Sequence, residues 1–179
     1  MVDLFKTKDY KPEFENRCLS KVEEKVLKTR VRHGEDRAKL EENIRKSVCI
    51  CIAPHTNRDL DVVWKSMSGA SRAMFSDVVI EPKRPVIPYE EVPLVSKSDF
   101  DRRCSKRLEL LKNQYTGKKA KEIGEVGKSI CKCVSENVLP FIGKDTPVFA
   151  TAMYDAKHSL RDEKTIKEFE EKMTLDLRL

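Results

Sequence analysis

The chain has 179 residues, of which 39% are hydrophobic and 37% charged, with only six glycines and one tryptophan. This composition favours helices with broad solvated faces, and it argues against a compact α/β enzyme and against glycine-rich phosphate-binding loops. The net charge of +6 allows an acidic partner such as nucleic acid, tubulin or anionic lipid, although an ordinary solvated surface explains it equally.

Residues 1–13 are charged and end beside Pro12, which predicts an extended N-terminal tail. The tail lacks the apolar core of a secretory signal, and its acidic residues do not suit a transit peptide. No apolar run in the sequence reaches the roughly 18 residues that a membrane span needs. We therefore expect a soluble intracellular protein of the cytoplasm, with the mitochondrial intermembrane space as the alternative.

Residues 14–75 predict three helices, because apolar residues recur with the spacing of one helical face. We expect the first to end at Gly34, the second to span Glu35 to Ala53 before Pro54, and the third to be capped by Asn57. Trp64 falls on the apolar face of the third helix and is expected in the core. The three expected faces comprise Phe14, Cys18, Val22, Val26; Leu40, Ile44, Val48, Cys51, Ile52; and Leu60, Val63, Trp64, Met67, Ala70, Met74.

Residues 76–97 form a predicted connector. Four prolines in this stretch forbid a helix and discourage a central strand, so an extended or polyproline-like conformation is expected. The prolines are Pro82, Pro85, Pro88 and Pro93.

Residues 98–158 predict a second helical unit. We expect Ser98 to cap its first helix, Gly117 to mark the turn, and Pro140 to close its second helix. A short third helix is expected after Pro147, and residues 159–179 predict one further helix that would act as a cap or docking element. The expected buried residues are Phe100, Cys104, Leu108, Leu111, Tyr115; Ile123, Val126, Ile130, Val134, Val138; and Val148, Ala152, Tyr154.

The two units share a sequence pattern. Residues 46–52 read KSVCICI, and residues 128–134 read KSICKCV. Upstream, FENRC at residues 14–18 is answered by FDRRC at residues 100–104, so that all six cysteines fall into the pattern, three in each unit. Repeats are the first feature to seek in a sequence. We interpret the chain as an all-α protein with two diverged tandem units, each a helical hairpin followed by a helix.

The cysteines predict contacts within each hairpin. An antiparallel hairpin that turns at Gly34 sets one cysteine of its first helix level with the first cysteine of the Cys-x-Cys motif, and the second hairpin repeats this arrangement. Residues two apart on a helix point in nearly opposite directions, so the second cysteine of each motif should face a different neighbour. The expected pairs are Cys18 with Cys49 and Cys104 with Cys131, and the remaining cysteines are Cys51 and Cys133.

Three chemical states suit these pairs. Reduced, buried thiols are the default expectation for an intracellular protein, a disulfide across each hairpin is the second reading, and a metal site is the third. The layout resembles the coiled-coil-helix-coiled-coil-helix proteins of the mitochondrial intermembrane space, in which disulfides hold helical hairpins. The cysteine spacings here are far longer than the short, fixed spacings of those proteins, and no membership is inferred.

Other motifs give no reaction site. Residues 124–129 end like a phosphate-binding loop but lack its first glycine, since Glu122 occupies that position. The three histidines lie in separate segments without a recognisable catalytic partner. Basic residues do cluster on the hairpin of the second unit, which suggests a candidate basic surface for nucleic acid, while a solvated helix face is the simpler reading. This candidate surface comprises Arg102, Arg103, Lys106, Arg107, Lys118, Lys119 and Lys121.

The sequence as a whole predicts a non-catalytic helical interaction protein, a scaffold or an accessory subunit of a larger assembly, that binds a protein partner. No cofactor, catalytic residue or metal ligand is assigned. The alternatives are a cysteine-based metal-binding or redox protein and a protein that binds nucleic acid through the basic hairpin.

Overall fold

The computed structural model describes residues 11–75, 95–142 and 148–160, and every regular element in these ranges is helical. The expectation of an all-α protein is confirmed. The predicted connector up to residue 94 and the last predicted helix lie outside the described residues. The helices are α1 (Lys11–His33), α2 (Glu35–Ile52), α3 (Leu60–Phe75), α4 (Lys97–Asn113), α5 (Gly117–Cys133), α6 (Leu139–Ile142) and α7 (148–160).

Two helical hairpins form the framework. The helices α1 and α2 pair around Gly34, and α4 and α5 pair around a turn that ends at Gly117. Both glycines have positive φ angles, 92° and 64°, a conformation that residues with a Cβ rarely adopt. The expected faces of α1 and α5 are buried throughout, and those of α2, α3 and α4 are buried except for partly exposed residues at their edges.

The third helix of each half lies on the hairpin of the other half. The helix α3 packs against α4 and α5. Antiparallel pairing with α4 is fixed at one end by Arg103, whose Nη1 donates to the Ala73 carbonyl at 3.4 Å, and at the other by Tyr115, whose hydroxyl lies 3.4 Å from Oδ2 of Asp61. The helix α7 instead lies beside α1 and α2, where Asp155 accepts a hydrogen bond from Arg45.

The ends of three helices differ from the sequence expectation. The helix α1 already begins at Lys11, because Pro12 is tolerated in a first turn where its missing N–H has no partner to lose. Asp59, not Asn57, caps α3 by accepting hydrogen bonds from the backbone N–H groups of Asp61 and Val62. Ser96, not Ser98, caps α4 by accepting from the N–H of Asp99.

Pro140 does not end the second hairpin, contrary to expectation. The chain passes from α5 through a π-helical turn, Val134–Val138, into α6, and Pro140 lies inside α6. A wider turn just before a proline changes the hydrogen-bonding pattern where the ring would otherwise clash with the preceding turn. Two side chains also differ from expectation, since Tyr154 is exposed and Trp64 is only half-buried.

Candidate functional site

A disulfide closes each hairpin. Cys18 of α1 is bonded to Cys49 of α2, with their Cα atoms 6.0 Å apart, and Cys104 of α4 is bonded to Cys131 of α5, with their Cα atoms 6.1 Å apart. Both pairs are the ones that the hairpin register predicts, and both Cα separations lie in the usual range for disulfides. Four cysteines expected to be reduced are therefore oxidised in the structure.

A third disulfide joins the two hairpins. Cys51 at the end of α2 is bonded to Cys133 at the end of α5, with their Cα atoms 5.6 Å apart and their positions 82 apart in sequence. Each Cys-x-Cys motif therefore sends its first sulfur into its own hairpin and its second sulfur to the other hairpin. The sequence predicted that the second cysteine of each motif faces away from its own hairpin, but it did not pair the two. Their corresponding positions in the two motifs were the signal that could have predicted this pair.

The cysteines differ in burial. Five of the six are buried in the core, and Cys133 alone is partly exposed. The Asn137 side-chain amide lies 3.2 Å from the Cys133 carbonyl oxygen and 3.6 Å from its sulfur. All six cysteines lie in the described residues and none has a free thiol. Among those residues, no group of three or more His, Cys, Asp or Glu side chains is placed to bind a metal ion.

A buried charge network lies next to the disulfide of the first hairpin. Arg45 Nε donates to Glu41 at 2.7 Å and its Nη1 donates to Asp155 at 3.0 Å, while the hydroxyl of Thr29 also donates to Glu41. The side chains of Arg45, Glu41 and Asp155 are only 6%, 8% and 11% exposed. Buried charges need such partners because water no longer solvates them. The network thus connects α1, α2 and α7.

Sequence reasoning missed this network. The spacing of Glu41 and Arg45 by four residues permits an ion pair on one helix face, but a solvent-exposed pair has the same spacing. Asp155, which completes the network, is 110 residues from Arg45 in sequence. Only the docking of α7 on the first hairpin brings the two together.

The candidate basic surface is divided. Arg107 is only 5% exposed, so its assignment to a surface was wrong: it lies on the stripe of α4 that faces α3. Arg103 is partly buried and donates to the Ala73 carbonyl. Three others lie near carboxylates, and Lys106 and Lys121 are exposed. The three carboxylate pairs are Arg102 with Asp99 at 3.7 Å, Lys118 with Glu122 at 3.9 Å and Lys119 with Asp61 at 3.0 Å.

Three ionisable groups near the helix ends have shifted pKa values. The hydrogen bond from Lys119 lowers the pKa of Asp61, and the same contact raises the pKa of Lys119. Burial lowers the pKa of His55, and the positive charge of Arg58 lowers it further. The His55 Nε2 atom is buried and has no hydrogen-bond partner among the described residues.

Exposed apolar side chains concentrate on the first hairpin. Leu27 and Val31, one turn apart on α1, are 58% and 80% exposed, and Ile50 of α2 is also exposed. A groove beside them has Val22, Val26 and Leu27 along its floor and a rim of both charge signs, formed by Glu23, Arg30, Glu42 and Lys46. Within the described residues, no helix combines the length and apolar character needed to cross a membrane.

Comparisons of this chain with protein-family models, with curated proteins and with solved structures found no match.

Proposed function

We propose that the protein is a non-catalytic helical interaction module whose shape is locked by its three disulfides. The observation that carries this proposal is the third disulfide, Cys51–Cys133, which bonds one hairpin to the other. Cross-linking within each hairpin stabilises that hairpin alone, whereas this bond restrains the hairpins relative to each other. Together with the bonds inside the hairpins it holds the backbone that carries each exposed surface in one arrangement, and such preorganisation lowers the entropic cost of binding.

The proposal includes a tandem duplication of residues 14–75 and 98–158. Its support is that the cysteines of the two copies make the same bond within each hairpin, and that Cys51 and Cys133 occupy corresponding positions. Each copy also has a third helix after its hairpin, and α3 packs on the hairpin of the other copy. Residues 76–95 are proposed as the extended connector between the copies; Ser96 and Lys97, which the sequence assigned to the connector, cap and begin α4.

The proposed binding surface is the exposed apolar part of α1, Leu27 and Val31, together with the groove that Leu27 lines. Large apolar side chains exposed next to one another are unusual unless they bind something. The apolar floor and the mixed-charge rim suit an amphipathic helix of a partner protein, whose apolar side chains recur every three to four residues.

A photocrosslinking experiment tests this surface. The crosslinking residue p-benzoylphenylalanine replaces Leu27 in one variant and Lys106, which is exposed on the other hairpin, in a control. We expect one discrete adduct from position 27 in the cells of origin, mapped by mass spectrometry to an amphipathic helical peptide and lost when Val31→Asp is added. An adduct with a second copy of this chain, or equal labelling from both positions, would contradict the proposed partner.

The same three bonds suggest an oxidising compartment, because disulfides persist there and are rare in the cytosol. The mitochondrial intermembrane space, one of the two locations that the sequence suggests, meets that condition. Alkylation of protein from its native cells before and after reduction tests this. Three blocked pairs support the proposal, and six thiols that alkylate at once would contradict it.

A second candidate function is thiol-dependent switching at Cys51–Cys133, favoured by the partial exposure of Cys133. A dithiol reductant would attack the Cys133 sulfur, release Cys51 as a thiolate and, with its second thiol, complete a two-electron reduction. Under graded dithiothreitol, differential alkylation should then find this pair reduced before Cys18–Cys49 and Cys104–Cys131. Simultaneous reduction of all three pairs would rule out a switch.

A further inference from the structure

A lysine amine of α7 lies against an aromatic ring of α3. The Nζ atom of Lys157 is 4.9 Å from the centre of the Trp64 indole ring, a cation–π contact that holds the amine at the junction of the two helices. Both residues are half-buried. The amine therefore loses part of its hydration to the ring and to the neighbouring helix, and it can still be reached from solvent.

The charges that α3 places beside this amine are positive. Lys65 directly follows Trp64, Arg72 lies two turns further along the helix, and both are exposed. Burial lowers the pKa of Lys157, and the positive charges of Lys65 and Arg72 lower it further. A larger fraction of this amine than of an ordinary lysine is therefore neutral near neutral pH, and the neutral form has the electron pair that a nucleophile needs.

The carboxylates of the two helices are engaged with other cations. Each helix has one carboxylate in its described range. Asp61 of α3 pairs with Lys119 at 3.0 Å, and Asp155 of α7 pairs with Arg45 at 3.0 Å. Lys157 thus shares its two helices with carboxylates that are held by other partners, and its position is set by the indole ring.

We propose that Lys157 is a nucleophilic amine that forms an imine with an aldehyde carrying an anionic group. Partial desolvation and a neighbouring cation are the two features that activate a lysine toward carbonyl compounds. The electron pair of Nζ attacks the carbonyl carbon and forms a C–N bond. The two amine protons pass to the carbonyl oxygen, which leaves as water, so the step needs no oxidant or reductant. Lys65 and Arg72 attract the anionic group of the aldehyde.

Reductive trapping on the full, oxidised chain tests the amine. The probe is pyridoxal phosphate, an aldehyde with a phosphate group, in limiting amount with sodium cyanoborohydride, which reduces imines and leaves disulfides intact. Peptide mass spectrometry then measures the labelling rate of each lysine. At about pH 7.5 we expect Lys157 to be labelled about threefold faster or more than Lys106, which is exposed on α4. The difference should narrow at about pH 10, where ordinary lysines also lose their proton. A rate at Lys157 no higher than at Lys106 would overturn the proposal.

A double variant tests the flanking cations. Because Lys65 and Arg72 are exposed, Lys65→Gln with Arg72→Gln should fold normally, and it should slow the labelling of Lys157 about twofold or more. The matched control is Arg17→Gln with Lys21→Gln, which removes two cations of α1 from a cleft that Lys157 does not line. This control should label like the wild type. An equal loss in both double variants would overturn the role of the two α3 cations.

A neutral probe tests the anionic group. Pyridoxal lacks the phosphate, so its preference for Lys157 over Lys106 should be smaller than that of pyridoxal phosphate, and equal preferences would overturn the requirement for an anion. The trapped adduct should also quench the emission of Trp64, the only tryptophan. Lys157→Arg keeps a cation over the ring but forms no imine, so its emission should not change under the same treatment. Equal quenching in the wild type and in this variant would overturn Lys157 as the site.

Discussion

The two hairpins differ at one buried position, which holds a charged side chain in the first hairpin and no side chain in the second. Arg45 in the first hairpin and Gly127 in the second occupy corresponding positions of the repeated pattern, four residues before the first cysteine of the Cys-x-Cys motif. Arg45 fills its position with a buried charge that reaches Asp155 of α7. Gly127 leaves its position empty, and Leu108 of α4 occupies the space. The first hairpin therefore binds α7, the third helix of the other half, through an ion pair, and in the second a side chain of α4 fills the space beside α5.

The disulfides explain how two hairpins with similar sequence patterns can have different residues at this buried position. The disulfides hold both hairpins at nearly equal Cα separations, 6.0 and 6.1 Å. Because a covalent bond holds that distance, the residue one turn before the first cysteine of the motif can have a large charged side chain, as at Arg45, or no side chain, as at Gly127. The stability of each hairpin should depend both on its disulfide and on the residue at this position, Arg45 or Gly127.

The largest effect is expected from the bond between the hairpins. Replacing Cys51 and Cys133 by Ala removes a cross-link between residues 82 apart, for which the chain-entropy account gives a stabilisation of about 4.5 kcal/mol. Urea unfolding measures the loss. The matched control is Cys104→Ala with Cys131→Ala, which opens a loop of 27 residues and should cost about 3.5 kcal/mol. A loss below about 1 kcal/mol for the first variant would show that packing alone holds the hairpins together.

Arg45→Met should cost about 3 kcal/mol, because it leaves the carboxylates of Glu41 and Asp155 buried without their cation. Chemical denaturation gives this value. Adding Glu41→Met and Asp155→Leu should recover most of the loss, since a buried ionic network can be replaced by apolar residues of similar size. If the single variant unfolds like the wild type, the ion pairs contribute nothing to the first hairpin.

Gly127→Ala should cost about 1–3 kcal/mol through overpacking. The added Cβ would lie 3.1 Å from Cγ of Leu108 and closer still to both of its methyl carbons, so the whole buried side chain must move. Gly124→Ala is the matched control on the same helix. Its Cβ would meet only the flexible end of Lys112, and removing a mid-helix glycine should stabilise by roughly 0.5–1 kcal/mol. Thermal unfolding distinguishes the two, and a shift in the same direction for both would contradict the close packing at Gly127.

The smallest effect is a pH dependence at His55, whose corresponding residue in the second unit is Asn137. Since burial lowers the pKa of His55, the folded state favours the neutral imidazole. The unfolded chain binds the proton more readily, so stability is complete above about pH 6.5 and falls as the pH drops through the lowered pKa. Unfolding free energies at pH 7.5 and 5.5 should therefore differ less for His55→Asn than for the wild type. An equal difference would show that His55 does not contribute.

The spacing of apolar residues and cysteines predicted much of the fold, but it predicted little about which side chains are exposed. The face of α1 was identified because four apolar residues repeat at one spacing, and the cysteine pairs within hairpins follow from equal arm lengths around Gly34 and Gly117. The prediction that Pro140 closes a helix was wrong because the effect of this proline depends on the π-helical turn before it, and residue propensities do not predict that turn. The prediction that Arg107 is exposed was wrong because a basic residue on a helix is assumed to face solvent unless the packing of another helix against it is known.

The interactions that cross between the halves were the hardest to predict. Cys51 and Cys133 pair because α2 and α5 end next to each other, and Arg45 meets Asp155 because α7 lies on the first hairpin. Both depend on how distant elements pack, which helical periodicity does not encode.

The three disulfides also determine what a cut in the backbone would do. The turn at Gly34 lies inside the ring closed by Cys18–Cys49, and the turn at Gly117 lies inside the ring closed by Cys104–Cys131. Residues 76–97 lie inside the larger ring closed by Cys51–Cys133. Hydrolysis of any one of these connections would therefore release no fragment until the sulfurs are reduced. From Cys18 to Cys133, only the two peptide bonds between Cys49 and Cys51 lie outside a covalent ring, and they are within a helix.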